Sequence, residues 1–154
     1  MSRTRIASAA DLFSLANTDL GATGYQPMTY ERIATFAEAT NDHQWIHVDR
    51  ERIAKESPFG APVAHGYLTL SLVAGGFFDL LELEGFKLVI NYGANKVRFP
   101  QPLLAGQNWR LAMKMGEVKQ VGEWIEAIFV ATVEIEGKPK PAAVAECVYR
   151  FLPG

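Results

Sequence analysis

A change in hydrophobic period near Gly85 constrains the fold of this chain more than any other feature. Residues 64–83 are largely apolar and indicate one long helix, whereas the residues after Gly85 alternate apolar and polar side chains, which indicates strands. A long buried helix followed by several antiparallel strands predicts an α+β fold. The 154 residues contain no repeat, linker or low-complexity tract, so we expect a single domain over 1–154, with 1–20 as a peripheral N-terminal segment.

Five strands are predicted after the helix. The first two, at 87–92 and 95–99, are divided by Gly93. The other three have apolar side chains at every second position, and they lie near residues 109–115, 125–135 and 143–151. Gly122 and Gly137 supply hairpin turns, so the strands are expected to form an antiparallel sheet that can curve around the helix.

Shorter helices are predicted ahead of the long one. Thr29 is expected to be the N-cap of a helix that carries the chain to Asn41. Asp49 is expected to cap a second helix that ends near Lys55, and a third short helix is predicted over 11–16. These helices and the loops between them deliver the chain to the start of the long helix.

Charge and motif content exclude several classes of function. Fifteen Lys and Arg residues against seventeen Asp and Glu residues give a net charge of −2, which offers no general attraction to nucleic acid or to an anionic membrane. No P-loop or G-x-G-x-x-G motif supports nucleotide hydrolysis or dinucleotide binding. The single cysteine, Cys147, has no disulfide partner within the chain, and its apolar surroundings predict a buried structural thiol.

The long apolar stretch could be mistaken for a membrane span. Polar side chains interrupt it, however, at His65, Thr69, Ser71, Asp79 and Glu82. Residues 1–10 also lack the apolar core of a signal peptide. We therefore expect a cytoplasmic protein in which this helix is buried and which has no membrane partner.

Asp42 and His47 form the first candidate acid–base pair. They lie five residues apart just after a predicted helix, so a turn can aim both side chains into one cavity. Hydration or dehydration needs two such groups, one to take a proton from water and one to deliver a proton to carbon. The alternative is an Asx-turn at Asp42 and a hydrogen-bonded, partly buried His47, because this spacing alone is common.

Gly66 is a candidate for stabilising a negatively charged oxygen. If the long helix begins here, the Gly66 N–H is one of its unpaired donors, and the helix dipole adds positive potential. A thioester oxygen that gains charge as an enolate would be stabilised by such a donor. The alternative is that Gly66 is small only to pack against the sheet.

Some residues are candidates for binding a metal or a phosphate. Asp42, His43, His47 and His65 lie close in sequence, but no H-E-x-x-H or C-x-x-C arrangement is present, so no metal is expected. Lys96 and Arg98 alternate on one strand and could contact the phosphates of a coenzyme A ligand. The alternative for these two is a solvated strand face.

Taken together, these motifs resemble the MaoC-like dehydratases, the (R)-specific enoyl-CoA hydratase family of hot-dog proteins. Residues 41–47, Asn-Asp-His-Gln-Trp-Ile-His, stand where that family has Gly-Asp-x-Asn-Pro-aliphatic-His. Residues 62–66 end in the His-Gly pair that opens the family's central helix, and 95–102 followed by Gly106 resemble its strand and turn after that helix. The resemblance covers roughly residues 20 to 152.

The resemblance implies both a fold and a reaction. The fold is a single hot-dog domain, in which a curved antiparallel sheet of about five strands wraps a long central helix. The reaction is reversible hydration of trans-2-enoyl-CoA to (R)-3-hydroxyacyl-CoA. Asp42 and His47 would be the catalytic pair that holds the water, and the Gly66 N–H would bind the thioester oxygen.

The resemblance also implies a homodimer with an acyl tunnel near the subunit interface and coenzyme A phosphates at its basic mouth, where Lys96 and Arg98 are candidates. No separate cofactor is expected, since coenzyme A is part of the substrate. The chain departs from the family pattern at Asn41, Gln44 and Trp45, and Ala74 stands where some members have a Ser.

Two other functions remain open from sequence. A hot-dog acyl-CoA thioesterase would need a carboxylate that faces the thioester from the central helix, and Asp79 and Glu82 lie near the far end of that helix. The other is a non-catalytic protein that binds acyl thioesters.

Overall fold

The computed structural model describes residues 3–154, and their main feature is a six-stranded antiparallel sheet packed against one long helix. In chain order the elements are β1 (Thr4–Ile6), α1 (Ala9–Ser14), β2 (Asp19–Ala22), β3 (Gln26–Pro27), α2 (Tyr30–Thr40), α3 (Trp45–Val48), α4 (Arg50–Glu56), α5 (Gly66–Leu80), β4 (Leu81–Leu83), β5 (Phe86–Arg98), β6 (Asn108–Val121), β7 (Trp124–Ile135) and β8 (Ala143–Pro153). The sheet has the order β2-β6-β7-β8-β5, and β3 also pairs with β6. The predicted α+β architecture is confirmed.

Helix α5 contacts β6, β7 and β8, and its residues Leu68, Val73 and Phe77 are buried in the core. The helix is not buried all round as expected, because Tyr67 and Phe78 are exposed. Phe77 is fully buried and stacks on Tyr149, with ring centroids 4.4 Å apart. At Gly76, an added Cβ would lie 2.5 Å from Leu111, so only glycine lets the helix approach β6 this closely. Gly75 beside it is exposed, with nothing within 4 Å of an added Cβ.

The two-residue period of the later strands matches their burial. Alternate side chains of β7 are buried, at Ile125, Ala127, Phe129, Ala131, Val133 and Ile135. The same alternation in β6 buries Trp109, Leu111, Met113 and Met115. Cys147 in β8 is buried as predicted, and burial raises the pKa of its thiol to about 11. A thiol with so high a pKa is a poor nucleophile at neutral pH.

The predicted caps are present. The Thr29 hydroxyl accepts a hydrogen bond from the Arg32 N–H at 3.2 Å, and the Asp49 carboxylate accepts one from the Arg52 N–H at 3.0 Å. These positions could be predicted because capping depends on residues only three apart. Helix α1 begins earlier than predicted, at Ala9, because Ser8 caps it.

The structure corrects the strand prediction at Gly93. The two strands predicted at 87–92 and 95–99 are one strand, β5, which pairs with β8 along its whole length. Register shifts occur between Asn91 and Gly93 and between Ala94 and Val97. The glycine therefore accompanies an irregularity in a continuous strand rather than a turn.

The end of helix α5 and the burial of the N-terminal segment also differ from expectation. Helix α5 stops at Leu80, because residues 81–83 form β4 and pair in parallel with β1. Ile6, Leu12 and Leu20 are buried in the main core, so the N-terminal segment is more closely integrated than its expected peripheral position. Within residues 3–154, no helix has the length and hydropathy that a membrane crossing requires.

Candidate active site

The loop after α2 presents Asp42. Asn41 ends the helix with a positive φ of 58°, a left-handed conformation that Gly and Asn adopt most readily. Asn41, which stands where the family has Gly, is therefore a residue that this left-handed position accepts. One Asp42 carboxylate oxygen, Oδ1, accepts the Gln44 N–H at 3.3 Å, and about half of the side chain is exposed. The Asx-turn considered from sequence is present, and it leaves Oδ2 free.

His47 lies in the single helical turn α3 and is 6% exposed. Its Nδ1 is 2.5 Å from the carbonyl oxygen of Val63. Because a carbonyl can only accept, Nδ1 carries the hydrogen, and in the neutral ring Nε2 holds a free lone pair. Burial lowers the pKa of His47 below its usual value, although the bond to Val63 opposes that shift. The neutral ring with a basic Nε2 is thus favoured.

His65 and Gly66 bring the second motif to the same place. His65 is the N-cap residue of α5 and is 3% exposed. Its ring stacks on that of His47, with centroids 3.7 Å apart and an angle of 21° between the planes. One potential ligand atom each of Asp42, His47 and His65 lies within 4.8 Å of the others. Polar groups from two separate motifs therefore converge.

A cavity of about 360 Å³ opens beside this cluster. Its walls include Gln44, Ile46, His47, Phe59, Val63, Ala64, Gly66, Thr69, Phe99, Gln101, Pro102, Leu103 and Ala142. His47 is the only titratable group among them, and Asp42 is not a lining residue. As the first residue of α5, Gly66 presents an N–H that the helix leaves unpaired. A Cβ on Gly66 would lie 3.1 Å from the ring of Phe99, which is part of the cavity wall. The glycine therefore leaves space between the start of α5 and that ring.

Gln44 is the only one of the three departures from the family pattern that lines the cavity. Trp45 lies instead against the guanidinium of Arg52, 4.3 Å from the ring centroid. Ala74 lines a second cavity of about 300 Å³ between α5 and the strands β5 and β8, together with Cys147 and Tyr149.

The basic residues predicted for phosphate lie outside the cavity wall. Lys96 is 76% exposed and its Nζ is 3.5 Å from a carboxylate oxygen of Glu146. Arg98 is exposed, and its guanidinium donates to the carbonyl of Val97 at 2.7 Å. Arg98 directly precedes Phe99, which does line the cavity. Of these two basic residues, only Arg98 is adjacent in sequence to a residue of the cavity wall.

The groups that could hold a metal are Asp42, His47 and His65. His43, the fourth candidate from sequence, is turned away and bonds to Glu38 at 2.6 Å. Each buried histidine already uses one ring nitrogen on a main-chain carbonyl, which leaves one nitrogen free. The absence of a metal from the reaction stays a prediction, and activity after chelation tests it.

The carboxylates that a thioesterase would need on the central helix lie far from this cluster. Asp79 is in the last turn of α5, thirteen residues after Gly66, which corresponds to about 20 Å along the helix. Glu82 lies beyond the helix in β4. Neither can face a thioester bound at Gly66.

A sequence model of the family described as the MaoC like domain matches residues 14–136. The chain belongs to the MaoC-like dehydratase family. It is 43% identical over 146 residues to 3-hydroxyacyl-thioester dehydratase Z of Mycobacterium tuberculosis, covering 94% of this chain and 96% of that protein. It is 37% identical over 143 residues to nodulation protein N of Rhizobium leguminosarum bv. viciae, covering 92% and 89%.

Solved structures of the MaoC-like type have the same fold. The R-hydratase PhaJ1 from Pseudomonas aeruginosa aligns with a TM-score of 0.70 at 19% identity, covering 90% of this chain and 88% of that one. At that identity the likeness confirms the hot-dog fold predicted from the sequence.

Proposed function

We propose that this chain catalyses the reversible hydration of a trans-2-enoyl-CoA to the (R)-3-hydroxyacyl-CoA. Membership of the MaoC-like dehydratases and the dehydratase relative support a hydro-lyase acting on an acyl thioester. The observation that carries the finer proposal is that His47 and Gly66 line one cavity while Asp42 lies within 4.8 Å of His47. A base and a hydrogen-bond donor for an anion thus line one cavity, and a second acceptor lies close to the base.

The spacing of Asp42 and His47 suits a single bound water. Two hydrogen bonds of about 2.8 Å that meet at a tetrahedral angle span about 4.6 Å. This span is compatible with one ligand atom of each side chain lying within 4.8 Å of the other. The carboxylate and the free Nε2 both accept, so each can take one hydrogen of the water. A water that donates both hydrogens keeps its lone pairs available to attack C3 of a substrate bound in the cavity.

In the proposed reaction, one proton passes from the water to His47 and then from His47 to C2 of the substrate. The His47 Nε2 takes a proton from the water as its oxygen bonds to C3. The electrons of the C2–C3 double bond move toward the thioester oxygen, where the Gly66 N–H and the α5 dipole stabilise the negative charge. The imidazolium of His47 returns a proton to C2, so that water has been added and the site is restored. Asp42 orients the water and stabilises the imidazolium.

Coenzyme A is proposed as the carrier because basic side chains are available near the cavity. Arg98 is exposed one residue before Phe99, and Lys96 lies two residues further back on the same strand. Phosphates attract such groups through charge-assisted hydrogen bonds. In this proposal Lys96 exchanges its contact with Glu146 for a phosphate.

A homodimer is proposed from the unpaired edge of β5. Within residues 3–154, this strand of 13 residues is last in the sheet order and pairs only with β8. Large apolar side chains are exposed on it at Leu88 and Tyr92. A long exposed edge is a template for pairing with another strand, and a second copy offers the same edge.

The proposed function is tested with a series of trans-2-enoyl-CoA substrates of increasing chain length and chiral analysis of the products. We expect hydration at some chain length and only the (R)-3-hydroxyacyl-CoA. Release of free coenzyme A without hydration would indicate a thioesterase. Binding without turnover at every chain length would indicate a binding protein.

A further inference from the structure

We propose that His65 is a positioning residue that fixes Asp42, His47 and Gly66 relative to one another. It does so with the ring tautomer that carries its hydrogen on Nε2. The proposal rests on the proposed function, since it assigns the support of the same site. His65 contacts or adjoins all three parts, although they come from two separate motifs. It does not line the cavity, so its effect would pass through its neighbours.

The first contact fixes the loop that carries Asp42. The Nε2 of His65 lies 2.9 Å from the main-chain carbonyl oxygen of Asp42. Because that oxygen can only accept, Nε2 carries the hydrogen. Within residues 3–154, Asp42 accepts two hydrogen bonds. One comes from Gln44 in the same turn, and the other comes from His65, outside that turn. It ties the start of α5 to a loop 23 residues earlier in the chain.

The second contact fixes the ring of His47. The two imidazoles are stacked at 3.7 Å, while the Nδ1 of His47 is held by Val63. A hydrogen bond alone allows the ring to tilt about that bond, whereas a face packed against it restricts the tilt. Phe36 also packs against His65, with ring centroids 5.0 Å apart and an angle of 54° between the planes. The Nε2 of His47 is therefore aimed by one bond and one stacked ring.

The remaining ring nitrogen of His65 accounts for the tautomer. Its Nδ1 is buried and has no hydrogen-bond partner in the described part of the chain. Buried N–H groups without an acceptor are rarer in proteins than buried acceptors without a donor, so the tautomer with hydrogen on Nε2 is the one that fits these surroundings. The charged and titratable groups that face the ring are the Asp42 carboxylate, with Oδ2 4.0 Å from Nε2, and the stacked His47.

The third link sets the position of the Gly66 N–H. The carbonyl of His65 accepts both the N–H and the hydroxyl of Thr69, at 3.0 and 3.2 Å. These bonds fix the main chain of His65 at the first turn of α5. Since Gly66 follows directly, a His65 side chain anchored on Asp42 places the donor relative to the acid–base pair. A displacement of about 1 Å in such a site can cost about 100-fold in rate.

The test compares His65→Gln with His65→Phe by steady-state hydration of crotonyl-CoA. The glutamine amide can donate to the Asp42 carbonyl but cannot stack, whereas phenylalanine can stack but cannot donate. We expect His65→Phe to lower kcat about 100-fold with KM changed by less than about threefold, and His65→Gln to recover about tenfold of that loss. The control is His43→Gln, an exposed histidine of the same loop, which should match the wild type.

A second measurement does not depend on activity or on the fold of a variant. In the wild-type protein at pH 7.5, two-bond nitrogen–hydrogen NMR correlations should show His65 with hydrogen on Nε2 and His47 with hydrogen on Nδ1. The opposite tautomer of His65 would overturn the proposal, as would a wild-type kcat in His65→Phe or equal losses in both variants. If the wild-type protein fails to hydrate any enoyl-CoA, the proposed function is wrong, while the tautomer still decides the role of His65.

Discussion

The Phe99 ring lies 3.1 Å from the position that a Cβ of Gly66 would occupy, so these two residues limit how a substrate can reach the first N–H of α5. In a Gly66→Ala variant the methyl group would press on Phe99 and narrow that approach. We expect kcat/KM for enoyl-CoA hydration to fall about tenfold or more, since the oxyanion donor would no longer be reached in the same geometry.

The same substitution should destabilise the fold little, because the Phe99 ring is 43% exposed and can shift away from the added methyl group. Thermal unfolding of Gly66→Ala, followed by circular dichroism, should show a Tm close to that of the wild type. Gly75→Ala on the same helix is the matched control, as nothing lies within 4 Å of its added Cβ. An equal loss of activity in Gly75→Ala would mean that Gly66 has no special role.

The pH dependence of hydration should follow His47. Burial lowers the pKa of this ring, so its neutral form extends to a pH below the usual histidine range. Because the mechanism needs a neutral ring in the free enzyme, kcat/KM should be level through neutral pH and should fall on the acid side with a midpoint below 6.5. A midpoint clearly above 6.5 would show that another group controls the rate.

Loss of phosphate contacts should affect coenzyme A thioesters selectively. In a Lys96→Ala/Arg98→Ala double variant, KM for crotonyl-CoA should rise about three- to tenfold and should lose part of its salt dependence. KM for the crotonyl thioester of pantetheine, which carries no phosphate, should not change. Lys138→Ala/Lys140→Ala, in the turn between β7 and β8, removes the same charge elsewhere and serves as the control. An equal change for both substrates would contradict phosphate recognition.

The edge of β5 predicts the assembly in solution. Light scattering after size exclusion should give twice the 17.0 kDa mass of the chain. Leu88→Lys places a charge on the exposed edge strand and should shift the mass toward the monomer. Phe13→Lys, a similarly exposed position on α1, should leave the dimer intact. A dimer that survives Leu88→Lys unchanged would argue for another interface.

Local rules explain which parts of the fold could be predicted from the sequence. The caps at Thr29 and Asp49 depend on residues three apart, and the burial of alternate β7 residues depends only on its own pattern. The continuity of β5 through Gly93 could not be predicted, because it depends on pairing with β8, about 55 residues later. Similarly, residues 81–83 form a strand instead of continuing the helix, because they pair with β1, 77 residues earlier in the chain.

The candidate site divides in the same way. Asp42, His47 and Gly66 could be named from motifs and spacing, and the structure brings them together. The stacking of His65 on His47 had no signal beyond the presence of two histidines, since it depends on how the start of α5 meets α3. The pairing of Lys96 with Glu146 was also not predictable, because it joins neighbouring strands whose register is irregular there.

In the proposed mechanism, Asp42 and His47 act together on one water. The most direct measurement is the rate of crotonyl-CoA hydration by Asp42→Asn and His47→Gln, with thermal unfolding to confirm that both variants fold. Each substitution removes a proton acceptor or a charge while keeping nearly the same shape. We predict that kcat/KM falls about 100-fold or more in each variant. Rates near that of the wild type in both would contradict the assignment of this pair.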